Sequence, residues 1–413
     1  MRILAIEMRN IAICMELMDY YEHGIARGLV RYAKSKLDWR LFGYGWMFHS
    51  LTDLGNWGGD GIIARAEDAS TADRLSSLDL PVVDVAGAYS RPHFRSVTND
   101  DFLTGYEAAL HLSGCGFSRF AFLGVRGTLW SEERRKGFAK GLERQGLGQG
   151  ARNDGREEGF PSFERPLAWW EGRQETGIGA KGGERLEDLE AFLSALKAPT
   201  ALFACNDTTG LRATELAGRL GIAIPDSLAI LGVDNEDILC ELASPSLSSI
   251  MLDCEAIGFR AAATLDAALE DSQGIGPGGA SEGSRTAVPP KGVAERESTR
   301  IFTCEDELVG KAVTFIRAHA HEGIDVSDLL RLVPVSRRSL ETRFRGQMNR
   351  SLHEEIVRAK LARAKRLLKE SDRTVEDIAQ ESGFGSPGRF HEAFKEVEGM
   401  PPGEWRKRQG TFP

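Results

Sequence analysis

One change of pattern governs what this chain can become. From the N-terminus to residue 272, short and nearly continuous apolar runs alternate with amphipathic helical stretches; after a segment dense in Gly, Ser and Pro, only helical pattern remains. The strand candidates are Ile3–Ile6, Gly61–Ala64, Val82–Val85, Phe120–Leu123, Ala201–Ala204 and Ala229–Val233. Runs without polar alternation suit parallel strands covered on both faces. Helices are expected over His23–Lys36, Thr104–Ser113, Glu133–Gln145, Arg185–Leu196 and Thr209–Leu220. This order predicts a doubly wound α/β architecture with ligand sites at the C-terminal ends of strands.

Gly146–Gly183 lacks period and is expected to be a long surface excursion. Gln273–Lys291 is too rich in Gly, Ser and Pro to build a core. The predicted domains are therefore 1–272 for the α/β part, 273–302 as linker and 303–410 as a helical unit. Charges interrupt every apolar stretch before the ~18 residues of a membrane helix, and Glu7 and Arg9 cut the apolar run at the N-terminus. A cytoplasmic protein with no membrane partner is the expectation. The six cysteines lie far apart without metal-ligand spacing, which points to buried thiols and no metal. His319 and His321 sit on a predicted helix, where such residues diverge. Gly124-Val-Arg-Gly127 lacks the order of a dinucleotide or phosphate loop, so no cofactor is expected.

The net charge of −9 argues at first against a nucleic-acid partner. Resolved along the chain it reverses. Residues 301–413 hold 20 Lys and Arg against 18 Asp and Glu, and Val335–Arg366 alone holds ten against three, while residues 1–300 hold 32 against 43. The acidity belongs to the α/β part.

Within the helical unit two segments each spell helix, tight turn, helix. In the first, Asp325–Val333 is followed by Pro334-Val335 and a helix capped by Ser336, with Leu340 and Phe344 on its buried stripe and Arg338, Glu341 and Thr342 on another face. In the second, Val375–Ser382 is followed by Gly383-Phe384-Gly385 and a helix with Ser386 as cap, Pro387 at its first position, and Phe390 and Phe394 buried. A helix over His353–Glu370 joins them, long enough to hold the two motifs about one DNA turn, ~34 Å, apart.

The run Ile378-Ala379, Gly383-Phe384, Phe390, Phe394-Lys395, Gly399, Pro402 and Trp405-Arg406 resembles the signature of AraC-type DNA-binding domains. The resemblance implies base contacts from Arg338, Glu341 and Thr342 in the first motif and from Arg389 and Glu392 in the second. Arginine suits guanine and glutamate suits cytosine. Ser336, Arg343 and Lys395 are candidates for phosphate contact, with Arg337 beside them. Gly388 stands where a side chain often points at DNA, so the second motif is expected to read fewer bases.

In the α/β part, polar residues gather after strand ends: Asp100, Ser131, Arg134, Asn206-Asp207 and Asp234-Asn235. Helix capping accounts for Asp100 and Ser131 at least as well as ligand contact does. Arg134, Asp207 and Asp234 are expected to converge on one cleft, where an arginine flanked by carboxylates can orient a polyhydroxyl ligand. Trp130 and Tyr21 are candidates to cover the apolar face of a sugar, core packing being the alternative. Val97–Asp101 with Gly105, Arg134-x-x-Gly137-Phe138, Phe203–Asp207 and Leu231–Asn235 are similar to the sugar-sensing domains of LacI-type regulators and type I periplasmic binding proteins. That similarity implies effector contacts at Arg134, Asn206 and Asp234.

A sensor of this type followed by an AraC-type reader is the plan of XylR-like regulators. Tyr21–Gly28, Gly59–Ile63, Arg119–Phe122, Trp130–Arg134 and Pro334–Phe344 resemble them as well. The expected molecule is thus an α/β two-lobed periplasmic-binding-protein-like sensor domain followed by an all-α domain with two helix-turn-helix motifs. The implied function is transcription regulation, most simply activation, by a homodimer on double-stranded DNA under control of a xylose-like sugar, with RNA polymerase as partner. Two rivals remain at this level: a sugar- or nucleoside-processing enzyme, and a binding protein with weakened DNA function. The strand-end set lacks an activated nucleophile or paired acid and base.

Overall fold

The computed structural model describes residues 8–36, 38–43, 54, 57–67, 69–88, 94–147, 160–166, 170, 184–272, 284–300, 306–348, 350–371 and 373–409. It divides into two compact units, Met1–Ile301 and Phe302–Pro413.

The first unit carries two sheets. One, in the order β11-β5-β4-β3-β1-β2, is parallel throughout and comprises β1 (Arg9–Cys14), β2 (Trp39–Gly43), β3 (Gly61–Ala64), β4 (Val82–Asp84), β5 (Arg95–Asn99) and β11 (Arg285–Val288). The other, β12-β10-β9-β8-β6-β7, comprises β6 (Phe120–Val125), β7 (Ser162–Arg165), β8 (Thr200–Ala204), β9 (Leu228–Asp234), β10 (Ser248–Met251) and the antiparallel edge strand β12 (Gly292–Ala294). Strands β3, β6 and β8 are buried along their whole length, as their unbroken apolar runs require.

Helices α1 (Tyr20–Ser35), α2 (Ala69–Ser76), α3 (Asp101–Gly114), α4 (Leu129–Arg144), α5 (Glu184–Ala195), α6 (Asp207–Arg219), α7 (Asp237–Leu242) and α8 (Cys254–Ser272) complete the unit. The chain passes between the lobes three times: from β5 into α3, from β10 into α8, and from β11 into β12. The crossings lie side by side. The Asp100 amide donates to the Val288 carbonyl at 2.7 Å, the Lys291 amide to the Met251 carbonyl at 2.8 Å, and Lys291 pairs with Asp253 at 3.0 Å.

Each lobe has one helix pair in backbone contact. In the first lobe a Cβ on Gly28 of α1 would lie 2.1 Å from the Glu255 carbonyl oxygen of α8. In the second, a Cβ on Gly105 of α3 would lie 1.8 Å from the Arg134 carbonyl oxygen, and one on Gly137 of α4 would lie 1.9 Å from that of Phe102. Only glycine permits this approach.

The second unit is helical. A first motif of α10 (Val326–Leu332) and α11 (Arg337–Met348) follows α9 (Glu307–His319), and a second of α13 (Val375–Glu381) and α14 (Pro387–Glu398) precedes α15 (Pro402–Gln409). Between them runs α12 (Leu352–Glu370), whose Ser351–Glu354 capping box fixes its start. Leu352 and Ile356 of α12 pack with Leu340 and Phe344 in one core, while Leu361, Ala364 and Leu368 pack with Phe390, Phe394 and Trp405 in another. One helix therefore serves both motifs.

Several expectations need correction. The run Ile3–Ile6 lies outside the described residues, and the first described strand is Arg9–Cys14. Residues 273–302 are not a free linker throughout: β11 pairs with β5, β12 pairs with β10, and Ser298 and Thr299 are fully buried. Three and four residues of strand pattern were hidden by the composition around them. The Gly146–Gly183 excursion and Cys304 fall largely or wholly outside the described residues, although Phe160 and Trp170 within that excursion are buried. The other five cysteines are buried and free.

Candidate functional site

The C-terminal ends of the strands of both sheets supply the candidate ligand site. Arg134, in the second turn of α4, is almost completely buried. Its Nε donates to Asp101 Oδ1 at 2.9 Å, one Nη donates to the Cys205 carbonyl, and the same Nη lies 3.8 Å from Asp234 Oδ1. The guanidinium sits 5.1 Å from the centre of the Trp130 ring. Gly105 and Gly137 make this arrangement, because the backbone contact of α3 with α4 brings Asp101 under Arg134.

Asp234 ends β9 with a φ of 106°, and Asn235 follows at 55°. Backbone strain of this kind persists where surrounding structure holds it and collects at functional sites. Burial pushes the Asp234 carboxyl well above the usual carboxylate range; Arg134 opposes the shift, and Asp207 and Asp19 add to it. Its side chain keeps 26% exposure, which leaves it open to a ligand.

Tyr21 donates its hydroxyl to the Val85 carbonyl at 2.8 Å, and its ring lies 5.4 Å from the Arg65 guanidinium. Arg65 pairs with Asp19 at 2.6 Å, Glu67 at 2.9 Å and Glu22 at 3.2 Å. This half-buried second arginine is not singled out by the sequence, although it obeys the same rule: it directly follows the strand Gly61–Ala64. Asn206 caps α6, its side chain accepting from the Thr209 amide at 2.9 Å.

Asp207 behaves differently from expectation. It is 1% exposed and its carboxylate is engaged inside the second lobe, accepting from Ser249 Oγ at 2.6 Å, the Glu236 amide at 2.8 Å and Cys240 Sγ at 3.4 Å. Its role is to brace the loop that carries Asp234. Asp84 is likewise structural, accepting from the amides of Ala66, Ala86 and Gly87.

In the helical unit, Ser336, Arg338, Ser339, Thr342 and Arg343 line an open depression on α11. Arg337, Arg338 and Arg345 are exposed, as are Arg389, Glu392 and Lys395 on α14. Thr342 turns its hydroxyl back to the Arg338 carbonyl at 2.9 Å, and Arg343 is held by Asp306 at 2.7 Å. Glu341 is half-buried, with Oε2 lacking a hydrogen-bond partner.

Several of the basic residues of α12, which contribute to the positive count over Val335–Arg366, are engaged within the unit. Lys360 reaches the Ile324 carbonyl at 3.5 Å, Arg363 the Glu381 carbonyl at 3.0 Å, and Lys365 the Glu398 carboxylate at 3.1 Å. They cap and brace the two motifs. Exposed positive charge is found instead on α11, at Arg337, Arg338, Arg343 and Arg345, and more sparsely on α14, at Arg389 and Lys395.

Among the described residues there is no group of three His, Cys, Asp or Glu placed to hold a metal, and no helix long and apolar enough to cross a membrane.

Residues 10–100 match the XylR N-terminal domain, residues 109–299 the periplasmic binding protein-like domain, and residues 329–408 a helix-turn-helix domain. The chain is 28% identical over 406 residues to the xylose operon regulatory protein of Haemophilus influenzae, covering 96% of this chain and 98% of that one. It is equally 28% identical to the protein of the same name from Escherichia coli K12, over 94% of each chain. The solved structure of the xylose-binding transcription activator XylR superposes with a TM-score of 0.56 at 26% identity, covering 97% of this chain and 98% of that chain.

Proposed function

Because the chain is XylR-like, joining a periplasmic-binding-protein-like sensor to an AraC-type helix-turn-helix unit in one polypeptide, we propose that a xylose-type pentose in the sensor cleft switches it into an activator of transcription. Its relatives are transcription regulators, and it is a sugar-responsive, DNA-binding regulator rather than an enzyme.

The observation that carries the finer reading is Arg134. Asp101 and the Cys205 carbonyl fix its guanidinium beside the Trp130 ring and near the partly exposed Asp234. Donors, an acceptor and a flat apolar face then meet at one place, which is what a ring with hydroxyls on its rim and C–H groups on its faces requires. Asn206 and Tyr21 border the same strand ends. The sugar favours the closed arrangement of the lobes only through its differential affinity for it, and that difference sets how far the reader's state shifts. Two chains acting as a homodimer on repeated half-sites, with RNA polymerase contacted next to them, complete the reading.

Titrating pentoses and hexoses against tryptophan fluorescence tests the sensor. Xylose is expected to bind, and Asp234→Ala to weaken it at least about tenfold, or ~1.4 kcal/mol. Failure of every sugar at millimolar concentration sinks the effector assignment. Gel shifts with Arg338→Ala test the reader, where a loss of ~1–3 kcal/mol and of sequence preference is expected.

A further inference from the structure

The two recognition helices repeat one another in register. Ser336 corresponds to Ser386, which caps α14, and the buried pair Leu340 and Phe344 corresponds to Phe390 and Phe394. In this register Arg337 faces Pro387, Arg338 faces Gly388, and Arg343 faces Ala393. Helix α11 carries Arg337, Arg338, Arg343 and Arg345 against the single Glu341, and of the four arginines Arg343 is paired with Asp306. Helix α14 carries Arg389 and Lys395 against Glu392, Glu396 and Glu398. Phosphate attraction follows the count of unopposed Lys and Arg, so the second helix approaches DNA with little electrostatic help.

Gly388 is the sharper difference. It is exposed, its φ is not positive, and a Cβ built on it meets nothing within 4 Å. Neither a turn nor close packing requires glycine there. It is a gap on the surface, at the helix N-terminus where recognition helices place their base contacts.

We propose that the two motifs read DNA unequally: α11 supplies most of the base discrimination and phosphate attraction, and α14 engages its half-site with low specificity because Gly388 occupies the place of Arg338. This rests on the assignment of α11 and α14 as the DNA-reading helices.

Selection of the full-length protein against a randomised duplex library, with xylose present, reads the asymmetry directly. One sharply defined half-site is expected, with a degenerate one about 10.5 bp away. On a duplex so selected, Arg338→Ala weakens binding at least about tenfold and Arg389→Ala less than about threefold. Gly388→Arg, for which the site is open, sharpens the second half-site and steepens the salt dependence by about one unit of slope. Two equally defined half-sites, or equal losses from the two alanine variants, overturn unequal reading while leaving the reader assignment standing. No enrichment at all overturns that assignment and this inference together.

Discussion

Asp207 follows β8 and Asp234 closes the neighbouring β9, yet only one is open to a ligand. Asp207 is fully buried and hydrogen-bonded within its lobe, and burial pushes its carboxyl up to about 7. Between the unfolded value of about 4 and that figure, the folded chain holds a proton that the unfolded chain has released. Stability from this group is therefore greatest below about pH 4 and declines as pH rises towards 7, the reverse of a salt-bridged carboxylate. Asp207→Asn, which keeps the shape and removes the titration, is expected to flatten that decline. Urea midpoints of both proteins between about pH 5 and about pH 8 check this, and parallel profiles would mean that Asp207 is ionised throughout. Nothing in the sequence separates the two aspartates, since each follows an apolar run. What separates them is Ser249 and Cys240, which meet Asp207 only after folding. Asp266 is similar: Arg9, Tyr32, Lys36 and Trp39 all converge on it from more than 200 residues away in sequence.

Among the elements, the pair α3 and α4 ties packing to function most directly. Gly105→Val would press its side chain into the Arg134 carbonyl, force the helices apart and cost ~3 kcal/mol or more. It should abolish sugar binding as well, because Asp101 and Arg134 separate. Thermal unfolding by circular dichroism and the fluorescence titration read the two effects; a stable variant that still binds sugar would refute the packing account. Gly388→Ala offers the contrast, expected to stabilise α14 by ~0.5–1 kcal/mol, since the position is open. The signature glycines of the sequence were thus legible as motif, and their physical reason is helix contact. Long apolar strands such as Phe120–Val125 and Leu228–Asp234 were also legible, because burial on both faces writes itself into composition. Strands β11 and β12 were not. They are short edge strands in a Gly- and Pro-rich neighbourhood, and their partners rather than their residues make them strands. The basic residues of α12 differ in the opposite sense: charge counts do not tell a cation facing solvent from one that meets the last carbonyl of a helix, as Arg363 does at Glu381.

At the scale of the molecule, two units share one chain, and the hydrophobic clusters of the sensor and of the helical unit have no residue in common. Heating is expected to give two transitions, and saturating xylose at about a hundred times its dissociation constant should stabilise the sensor by ~2.7 kcal/mol while leaving the helical unit unmoved. Calorimetry with and without the sugar decides it; a single transition displaced as a whole contradicts independent cores. The three crossings of the sensor have a consequence for how the chain is made. Strands β5 and β11 lie side by side, but Thr98 and Arg285, which touch across them, are 187 residues apart. A ribosome working from the N-terminus therefore releases β1 to β5 first and then the strands β6 to β10 of the other lobe before β11 arrives to close the first sheet. Throughout that interval β5 presents an unpaired edge to the cell, and the nascent chain is at its most exposed to mispairing just when half of the sensor is already folded.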